Sequence, residues 1–323
     1  MTVSATEPPS LFLASRPAPA LGPLGAGDEV APGAAGLRPA AILGVPLDRT
    51  TSFRKGTSAG PREIRAASWS LETYSPALDA DLCAQVLYDL GDVTFGPDRP
   101  IEDDLEAVEA AAAEAVLRGF FPVFLGGEHL LTLAAYKGVA RSLPQSDGRP
   151  AFFHFDAHAD LREEFGGLVL SHATVVRHVA RLAEPRNVYQ FGIRSGDREE
   201  MAWGRANVNR IPGQLPAAVR EALRAVAGRR VYLSIDIDVF DPADAPGTGS
   251  PEPGGPPAAD VFEAVMAVGL AAALGAPRGG IDLVALDLVE VSPPLDPSGR
   301  TSVLAAKLLR EFLIARGLET AGT

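Results

Sequence analysis

The stretch Phe155-Asp156-Ala157-His158-Ala159-Asp160 contains three side chains that commonly bind metal ions, and it closely follows a short apolar run. That run, Ala151-Phe152-Phe153, is typical of a buried β-strand. Asp156, His158 and Asp160 stand at alternate positions, and alternate side chains of an extended backbone point the same way. Because a buried carboxylate without a partner is costly, the stretch predicts a bound cation where the strand ends.

Two more apolar runs end in residues of the same kind. Val231-Tyr232-Leu233-Ser234-Ile235 leads into Asp236 and Asp238, and Phe121-Pro122-Val123-Phe124-Leu125 leads through two glycines to His129. The resulting set of four aspartates and two histidines is too large for one tetrahedral Zn²⁺. Ligands rich in oxygen that include imidazole favour Mn²⁺ or a similar ion, and four carboxylates carry enough charge for two divalent cations.

The composition argues against several classes of protein. The chain has 323 residues, 46% of them hydrophobic, which is enough for a sizeable core. Its net charge of −12 makes nucleic acid an improbable partner. No apolar run approaches the roughly 20 residues of a membrane-spanning helix. Cys83 is the only cysteine, so an internal disulfide is excluded and a reducing, cytoplasmic location is expected; we expect Cys83 to be a small buried side chain.

The remaining sequence alternates between apolar strand patterns and helical patterns. Strands are predicted at 40–45, 86–90, 121–125, 151–155, 188–191, 231–235 and 281–286. Helices are predicted at 60–71, 102–118, 173–182, 217–227, 258–274 and 301–316, with another that includes 130–136. This alternation predicts an α/β fold with a mainly parallel sheet covered on both faces, whose sites form beyond the carboxyl ends of the strands. Residues 1–38, rich in Pro, Ala and Gly, are predicted to be an irregular arm before a single domain at 39–323.

Three motifs, in this order, resemble those of the ureohydrolases, the family of arginase and agmatinase. They are Gly126-Gly127-Glu128-His129, Asp156-Ala157-His158-Ala159-Asp160 and Ser234-Ile235-Asp236-Ile237-Asp238-Val239-Phe240-Asp241-Pro242. The resemblance covers roughly residues 40 to 317. It implies a three-layer α/β/α sandwich, a pair of Mn²⁺ ions, and cleavage of a small guanidino substrate to an amine and urea. It also implies a homo-oligomer, because the family commonly forms trimers or hexamers.

The resemblance assigns the six ligands to the two ions. One Mn²⁺ would be held by a histidine and three aspartates, namely His129, Asp156, Asp160 and Asp236. The other would be held by His158, Asp156, Asp236 and Asp238. Asp156 and Asp236 would therefore bridge the ions. A calcium loop that begins at Asp236 is excluded, because Phe240 stands at its third ligand position and Gly247 stands where the last ligand should be.

The resemblance also implies three catalytic roles. Asp160 would hydrogen-bond the attacking water while it binds metal. Glu290 would hold the guanidinium of the substrate through charge-assisted hydrogen bonds. His172 would carry a proton to the leaving amine. The sequence departs from the family at two positions, since Ala173 replaces the usual glycine and Leu130 replaces a frequent serine.

Several stretches are more similar to agmatinase than to arginase. They include Thr51-Ser52-Phe53-Arg54-Lys55-Gly56-Thr57 and Gly192-Ile193-Arg194-Ser195-Gly196. The arginase loop that binds the α-carboxylate and α-amino group is absent, and Gly166-Gly167-Leu168-Val169-Leu170 stands in its place. Agmatine, cleaved to putrescine and urea, is therefore the first expectation for the substrate.

The sequence also allows other substrates and other classes of protein. Guanidinobutyrate, guanidinopropionate and arginine would share the same metal chemistry, and Arg49, Arg54 and Lys55 are candidates to bind a substrate carboxylate. A metal-binding homologue without turnover and a single-metal deacylase of the same general fold are two further classes. His154, which has the same parity as Asp156, is either a support for the ligands or a core histidine.

Overall fold

The computed structural model describes residues 11–17, 37–96 and 98–318. Its strands in this part of the chain are β1 (Arg16–Pro17), β2 (Ala40–Val45), β3 (Tyr74–Ser75), β4 (Ala80–Asp81), β5 (Leu87–Asp92), β6 (Phe121–Gly126), β7 (Ala151–Phe155), β8 (Val188–Phe191), β9 (Arg230–Asp236) and β10 (Asp282–Val289). Its α-helices, again within the described residues, are α1 (Gly60–Ser68), α2 (Ile101–Leu117), α3 (Leu131–Ser142), α4 (Val175–Ala183), α5 (Arg198–Asn207), α6 (Leu215–Ala225), α7 (Ala258–Leu274) and α8 (Arg300–Arg316).

Eight of these strands form one sheet, in the order β1-β5-β2-β6-β10-β9-β7-β8. Every pairing in this sheet is parallel. The two remaining strands, β3 and β4, form a separate antiparallel pair. Because neighbouring parallel strands end on the same side, the loops after β6, β10, β9 and β7 meet at one edge of the sheet.

The strands are apolar on both sides because helices cover both faces of the sheet. Along β6, Val123 and Leu125 pack in one apolar cluster while Phe124, between them, packs in the other. The first cluster also takes in residues of α1, α6, α7 and α8, and the second takes in residues of α2, α3 and α4. The predicted three-layer α/β/α sandwich with a mainly parallel sheet is confirmed.

The predicted elements are found with small shifts at their ends. The helix predicted for 60–71 ends earlier, at Ser68. Helix α5 was not predicted, although Asp197 and Glu200 form a capping box at its start, which is a recognisable sequence signal. Cys83 was expected to be buried and is exposed, since Leu82 takes the inward position in the short turn 82–84.

Part of the predicted N-terminal arm packs on the body of the domain. Phe12 and Leu13 are buried, the N–H of Phe12 donates to Asp89 Oδ2 (3.0 Å), and the N–H of Leu13 donates to Ser68 Oγ (2.9 Å). The rest of the arm, residues 1–10 and 18–36, lies outside the described residues. No helix of the described residues is both long and apolar enough to span a membrane.

Candidate metal centre

The six predicted ligands meet at the carboxyl edge of the sheet. Asp156, His158 and Asp160 follow β7, while Asp236 and Asp238 lie at and just after the end of β9. His129 follows β6, which is separated from β9 by β10 alone. The sequence separates these groups by as many as 109 positions (238 − 129), and the parallel topology brings them together.

The first group of ligands surrounds the ring of His129. His129 Nδ1 lies 3.2 Å from Oδ2 of Asp156, 3.2 Å from Oδ2 of Asp160 and 3.2 Å from Oδ2 of Asp236. All four side chains are buried. This is the set of residues that the family resemblance assigns to one ion.

The second group shares Asp156 with the first. His158 Nδ1 lies 2.8 Å from Asp238 Oδ2 and 3.6 Å from Asp156 Oδ1. Backbone donors hold the carboxylates in place: the N–H of Ala157 donates to Asp238 Oδ1 (3.0 Å), and the N–H of Asp238 donates to Asp236 Oδ1 (2.8 Å). The donor set is therefore arranged as two adjoining clusters that have Asp156 in common.

The electrostatics of these residues fit cations. His129 Nδ1 is a buried polar atom without a hydrogen-bond partner among the described residues, although three carboxylate oxygens are near it. Burial and the neighbouring Asp238 and Asp156 raise the pKa of Asp236 well above its ordinary value, and burial with Asp156 also raises the pKa of Asp238. Carboxylates crowded in this way need positive charge close to them. Oxygen-rich ligands with two imidazoles suit Mn²⁺.

The orientation of the His129 ring is set from behind the site. Ser234 Oγ donates to Asp287 Oδ1 (2.6 Å), and His129 Nε2 lies 3.1 Å from the same Ser234 oxygen. Since the single hydroxyl proton of Ser234 is committed to Asp287, the bond requires His129 Nε2 to be the donor. With a proton fixed on Nε2, Nδ1 faces the carboxylates and is the nitrogen that could give its lone pair to a metal ion.

Glu290 directly follows β10 and lines a cavity that borders the candidate ligands. Its Oε1 accepts the N–H of His129 (2.7 Å), while its Oε2 has no hydrogen-bond donor among the described residues. Burial raises the pKa of Glu290 above its ordinary value, with a further contribution from the nearby charge of Glu128. A cation that enters the cavity would stabilise the ionised form of Glu290.

Asp160 and Glu290 share an uncommon backbone conformation. Their φ angles are +51° and +64°, in the left-handed region that residues with a side chain rarely adopt. Strained residues of this kind persist only where the surroundings hold them, and they cluster at functional sites. The two residues therefore reach the cavity from turns that an ordinary strand-to-loop connection does not provide.

The loop after β2 holds His172. The N–H of His172 donates to Thr50 Oγ1 (3.1 Å), and its Nε2 lies 3.4 Å from Ser52 Oγ. Thr50 is itself fixed by the buried Glu128, whose Oε2 accepts the N–H of Thr50 (2.7 Å). Burial, with the nearby charge of His129, lowers the pKa of His172 to about 4. The imidazole is thus neutral at neutral pH and can accept a proton.

The cavity has a volume of about 310 Å³, and its lining includes five of the six predicted ligands with His172, Ala173 and Glu290. Its lining also includes Arg162, Phe165, Asp197 and Glu200, which we did not identify from the sequence. Arg162 pairs with Asp197 (3.3 Å) and Glu200 (3.2 Å), and its guanidinium lies over the ring of Phe165 at 4.9 Å. The position of Arg162, two residues after a metal-type ligand, and the capping box of Asp197 and Glu200 are sequence signals that could have drawn attention to this group.

Two of the three basic residues that were candidates to bind a substrate carboxylate have other partners. Arg49 pairs with Asp104 (2.6 Å), and Arg54 donates to the backbone oxygens of Thr248 (2.8 Å) and Gly249 (3.2 Å). Neither of them, nor Lys55, lines the cavity. His154 is buried, and its Nε2 lies 2.8 Å from Asp156 Oδ2.

The chain is similar to known proteins over most of its length. Residues 38–315 match the model of the arginase family. An agmatinase from Halalkalibacterium halodurans is 40% identical over 276 residues, which are 85% of this chain and 91% of that protein. A guanidinobutyrase from Pseudomonas aeruginosa is 36% identical over 288 residues, or 85% of each protein. The crystal structure of the agmatine ureohydrolase of Thermoplasma volcanium has a TM-score of 0.73 at 34% identity, and the match covers 85% of this chain and 89% of that one. The resemblance seen in the three motifs is therefore confirmed, and the chain belongs to the arginase family.

Proposed function

We propose that this protein is a binuclear manganese amidinohydrolase that cleaves agmatine to putrescine and urea. The observation that carries the proposal is the pair of adjoining ligand clusters around His129 and His158, which share Asp156 and lie beside one cavity. The agmatinases at 40% identity support the choice of substrate. The guanidinobutyrase at 36% identity makes an ω-guanidino acid the second candidate.

Each group of side chains would have a distinct role in this reaction. The six ligands would hold two Mn²⁺ ions, which lower the pKa of a bound water and supply hydroxide at neutral pH. Asp160, at the cavity wall, would accept a hydrogen bond from the attacking water. Glu290 Oε2 would receive the guanidinium N–H groups, which fixes the plane of the substrate and offsets its charge. His172 would deliver a proton to the departing amine, which is a poor leaving group without it.

The charge beyond the ligands favours a cationic substrate. Asp197 and Glu200 contribute two carboxylates, and Arg162 contributes one guanidinium that is already paired with both. The sum of these three groups is one negative charge. The ammonium end of agmatine would be attracted to this part of the cavity, whereas the carboxylate of a guanidino acid would be repelled.

A substrate panel tests this proposal. With Mn²⁺, kcat/KM for agmatine is expected to exceed that for guanidinobutyrate, guanidinopropionate or arginine by about 10- to 100-fold, because hydrogen bonds to charged groups contribute about 1.5–3 kcal/mol. Urea release measures each rate. A preference for a guanidino acid would overturn the choice of agmatine while leaving the chemistry intact. Absence of urea from every compound, in protein with two bound Mn²⁺, would favour a metal-binding homologue without turnover.

Glu290→Gln is expected to reduce kcat/KM for agmatine by about 10- to 100-fold. The amide can still accept the N–H of His129, but it replaces a charge-assisted hydrogen bond to the guanidinium by a neutral one. Steady-state urea release gives the change, and bound manganese should stay at the wild-type level. Glu263→Gln, on the exposed surface of α7, is the matched control. An unchanged kcat/KM in Glu290→Gln would show that Glu290 does not hold the substrate.

Three further properties belong to the proposal. A manganese content near two ions per chain is expected, and a content of one would favour the single-metal deacylase class. We expect a homo-oligomer, a trimer or a hexamer as is common in the family, which light scattering of the purified protein would measure. We also expect a cytoplasmic location, which the free, exposed thiol of Cys83 supports.

A further inference from the structure

His154 lies in the middle of a polar row that crosses the sheet behind the ligands. The strand register places it beside Gln190 of β8 and beside Ser234 of β9. Its ring is fully buried, with Nε2 2.8 Å from Asp156 Oδ2 and Nδ1 3.1 Å from Gln190 Nε2. An imidazole in this position could act in two ways, as a metal ligand or as a hydrogen-bond donor to Asp156. The proton on Nε2 decides between them.

The orientation of the Gln190 amide is fixed by its other partners. Arg210 Nε and Nη2 lie 2.9 Å and 2.6 Å from Gln190 Oε1, and a guanidinium can only donate. On the other side, Gln190 Nε2 lies 2.7 Å from the backbone oxygen of Ala159, which can only accept. A flipped amide would place its NH₂ group against the two donors of Arg210 and its oxygen against the backbone oxygen of Ala159. Gln190 therefore presents its NH₂ group to His154.

The proton of His154 follows from this orientation. Because Gln190 donates to Nδ1, that nitrogen must be the acceptor, and in a neutral imidazole the proton then lies on Nε2. Nε2 in turn donates to Asp156 Oδ2. The hydrogen bonds therefore form a relay in which each group donates to the next, from Arg210 through Gln190 and His154 to Asp156. The relay begins at a guanidinium, which always carries its protons.

We propose that Arg210 and Gln190 lock His154 in its Nε2–H tautomer, so that His154 is a positioning residue that orients the shared carboxylate Asp156 and is not itself a metal ligand. Asp156 Oδ2 receives the bond from His154 and also faces His129 Nδ1 at 3.2 Å, while Oδ1 accepts the N–H of His158. The bond from His154 fixes the rotation of this carboxylate, which leaves the remaining lone pairs directed at the two ligand clusters. This inference rests on the metal centre proposed above.

The location of the proton can be observed without any variant. Neutron diffraction from deuterated crystals of the full chain with Mn²⁺ should show deuterium on Nε2 of His154 and none on Nδ1. It should also show both deuterium atoms of the Gln190 amide directed at Ala159 O and His154 Nδ1. Deuterium on Nδ1, or a bare Nε2 directed at manganese, would overturn the proposal. Neither result depends on which guanidino compound is the substrate.

A variant that reverses one bond tests the function of the relay. In Gln190→Glu, a carboxylate oxygen faces His154 Nδ1 and cannot donate, so Nδ1 takes a proton. Either Nε2 then loses its proton and its bond to Asp156, or the ring becomes a cation beside the ligands, and both results weaken Mn²⁺ binding. Mn²⁺ affinity is expected to fall by roughly 10- to 100-fold, as is usual when a hydrogen-bond partner of a metal ligand is lost. Titration calorimetry on the full chain measures this change independently of turnover.

Gln214→Glu is the matched control, since Gln214 is exposed and lines the same surface cavity as Gln190 and Arg210. This variant introduces the same charge at a residue that makes no hydrogen bond to Arg210, Gln190 or His154. The Mn²⁺ affinity of the variant should stay within about twofold of the wild type. Arg210→Met provides a second variant, which frees the Gln190 amide without adding charge and should also weaken Mn²⁺ binding. Wild-type affinity in both Gln190→Glu and Arg210→Met would overturn the proposal, whatever their turnover of agmatine.

Discussion

Asp236→Asn is expected to lower kcat/KM for agmatine by on the order of a thousandfold or more and to reduce bound manganese below two ions per chain. Stabilisation of charge by a metal centre amounts to several kcal/mol, and each 1.36 kcal/mol corresponds to a factor of about ten in rate. Asp236 Oδ2 lies 3.2 Å from His129 Nδ1, and Oδ1 accepts the N–H of Asp238, so the residue contacts both ligand clusters. An amide keeps the size of the side chain but removes the charge that both ions would share.

The measurement is metal content by atomic absorption beside urea release over a range of agmatine concentrations, which gives kcat/KM. Asp244→Asn is the control, because Asp244 lies on the same loop eight positions after Asp236 and outside the cavity lining (244 − 236). It should match the wild type in both readings. Two bound manganese ions with full activity in Asp236→Asn would remove Asp236 from the ligand set.

The affinity for Mn²⁺ should rise with pH. Burial lowers the pKa of His158, but hydrogen bonds to Asp156 and Asp238 outweigh this effect and raise it to about 12. Without metal, His158 is therefore protonated at neutral pH, and Mn²⁺ must displace that proton. Binding should release protons and tighten as pH rises, which is the usual coupling at sites with imidazole ligands.

The sequence was sufficient to locate the candidate ligands because their signals are local. Asp156, His158 and Asp160 meet near one another as the sequence predicts, but β7 ends at Phe155 and Asp160 has a left-handed backbone, so the three residues do not lie on one extended strand. The convergence of separate runs follows from the rule that parallel strands end together. His129 and Asp236 could thus be expected at the same edge of the sheet before the order of the strands was known.

Other parts of the site depend on contacts that no local pattern encodes. The left-handed backbone of Glu290 has no signal in its residue type, because glutamate is not enriched in that conformation as aspartate is. The pairing of Arg162 with Asp197 and Glu200 joins the loops after β7 and β8, which are far apart in the chain. The buried Glu128 also contacts the loop after β2, where Thr50 in turn holds His172. These tertiary contacts shape the part of the cavity that lies beyond the candidate ligands.

His172→Asn is expected to reduce kcat for agmatine by about 10²- to 10⁴-fold, which is the usual contribution of a positioned general acid or base. KM and manganese content should change little, because His172 lies beside the ligand clusters without belonging to them. The pKa of about 4 keeps the imidazole neutral above that pH, so His172 would hold a proton only briefly during the reaction. Once protonated, an imidazole of low pKa is a strong acid, which favours transfer to the leaving amine.

Chemical rescue separates proton transfer from a structural role of the same residue. His172→Ala opens space beside Thr50 and Ser52, and added imidazole should restore part of kcat in this variant but not in the wild type. His178→Asn is the control, since His178 lies on α4 with its Nε2 against the backbone oxygen of Val169, and it should retain full activity. A kcat in His172→Asn within a few fold of the wild type would transfer the proton-carrying role to another group or to water. Loss of activity without rescue, together with lower manganese content, would instead indicate that His172 supports the fold of the site.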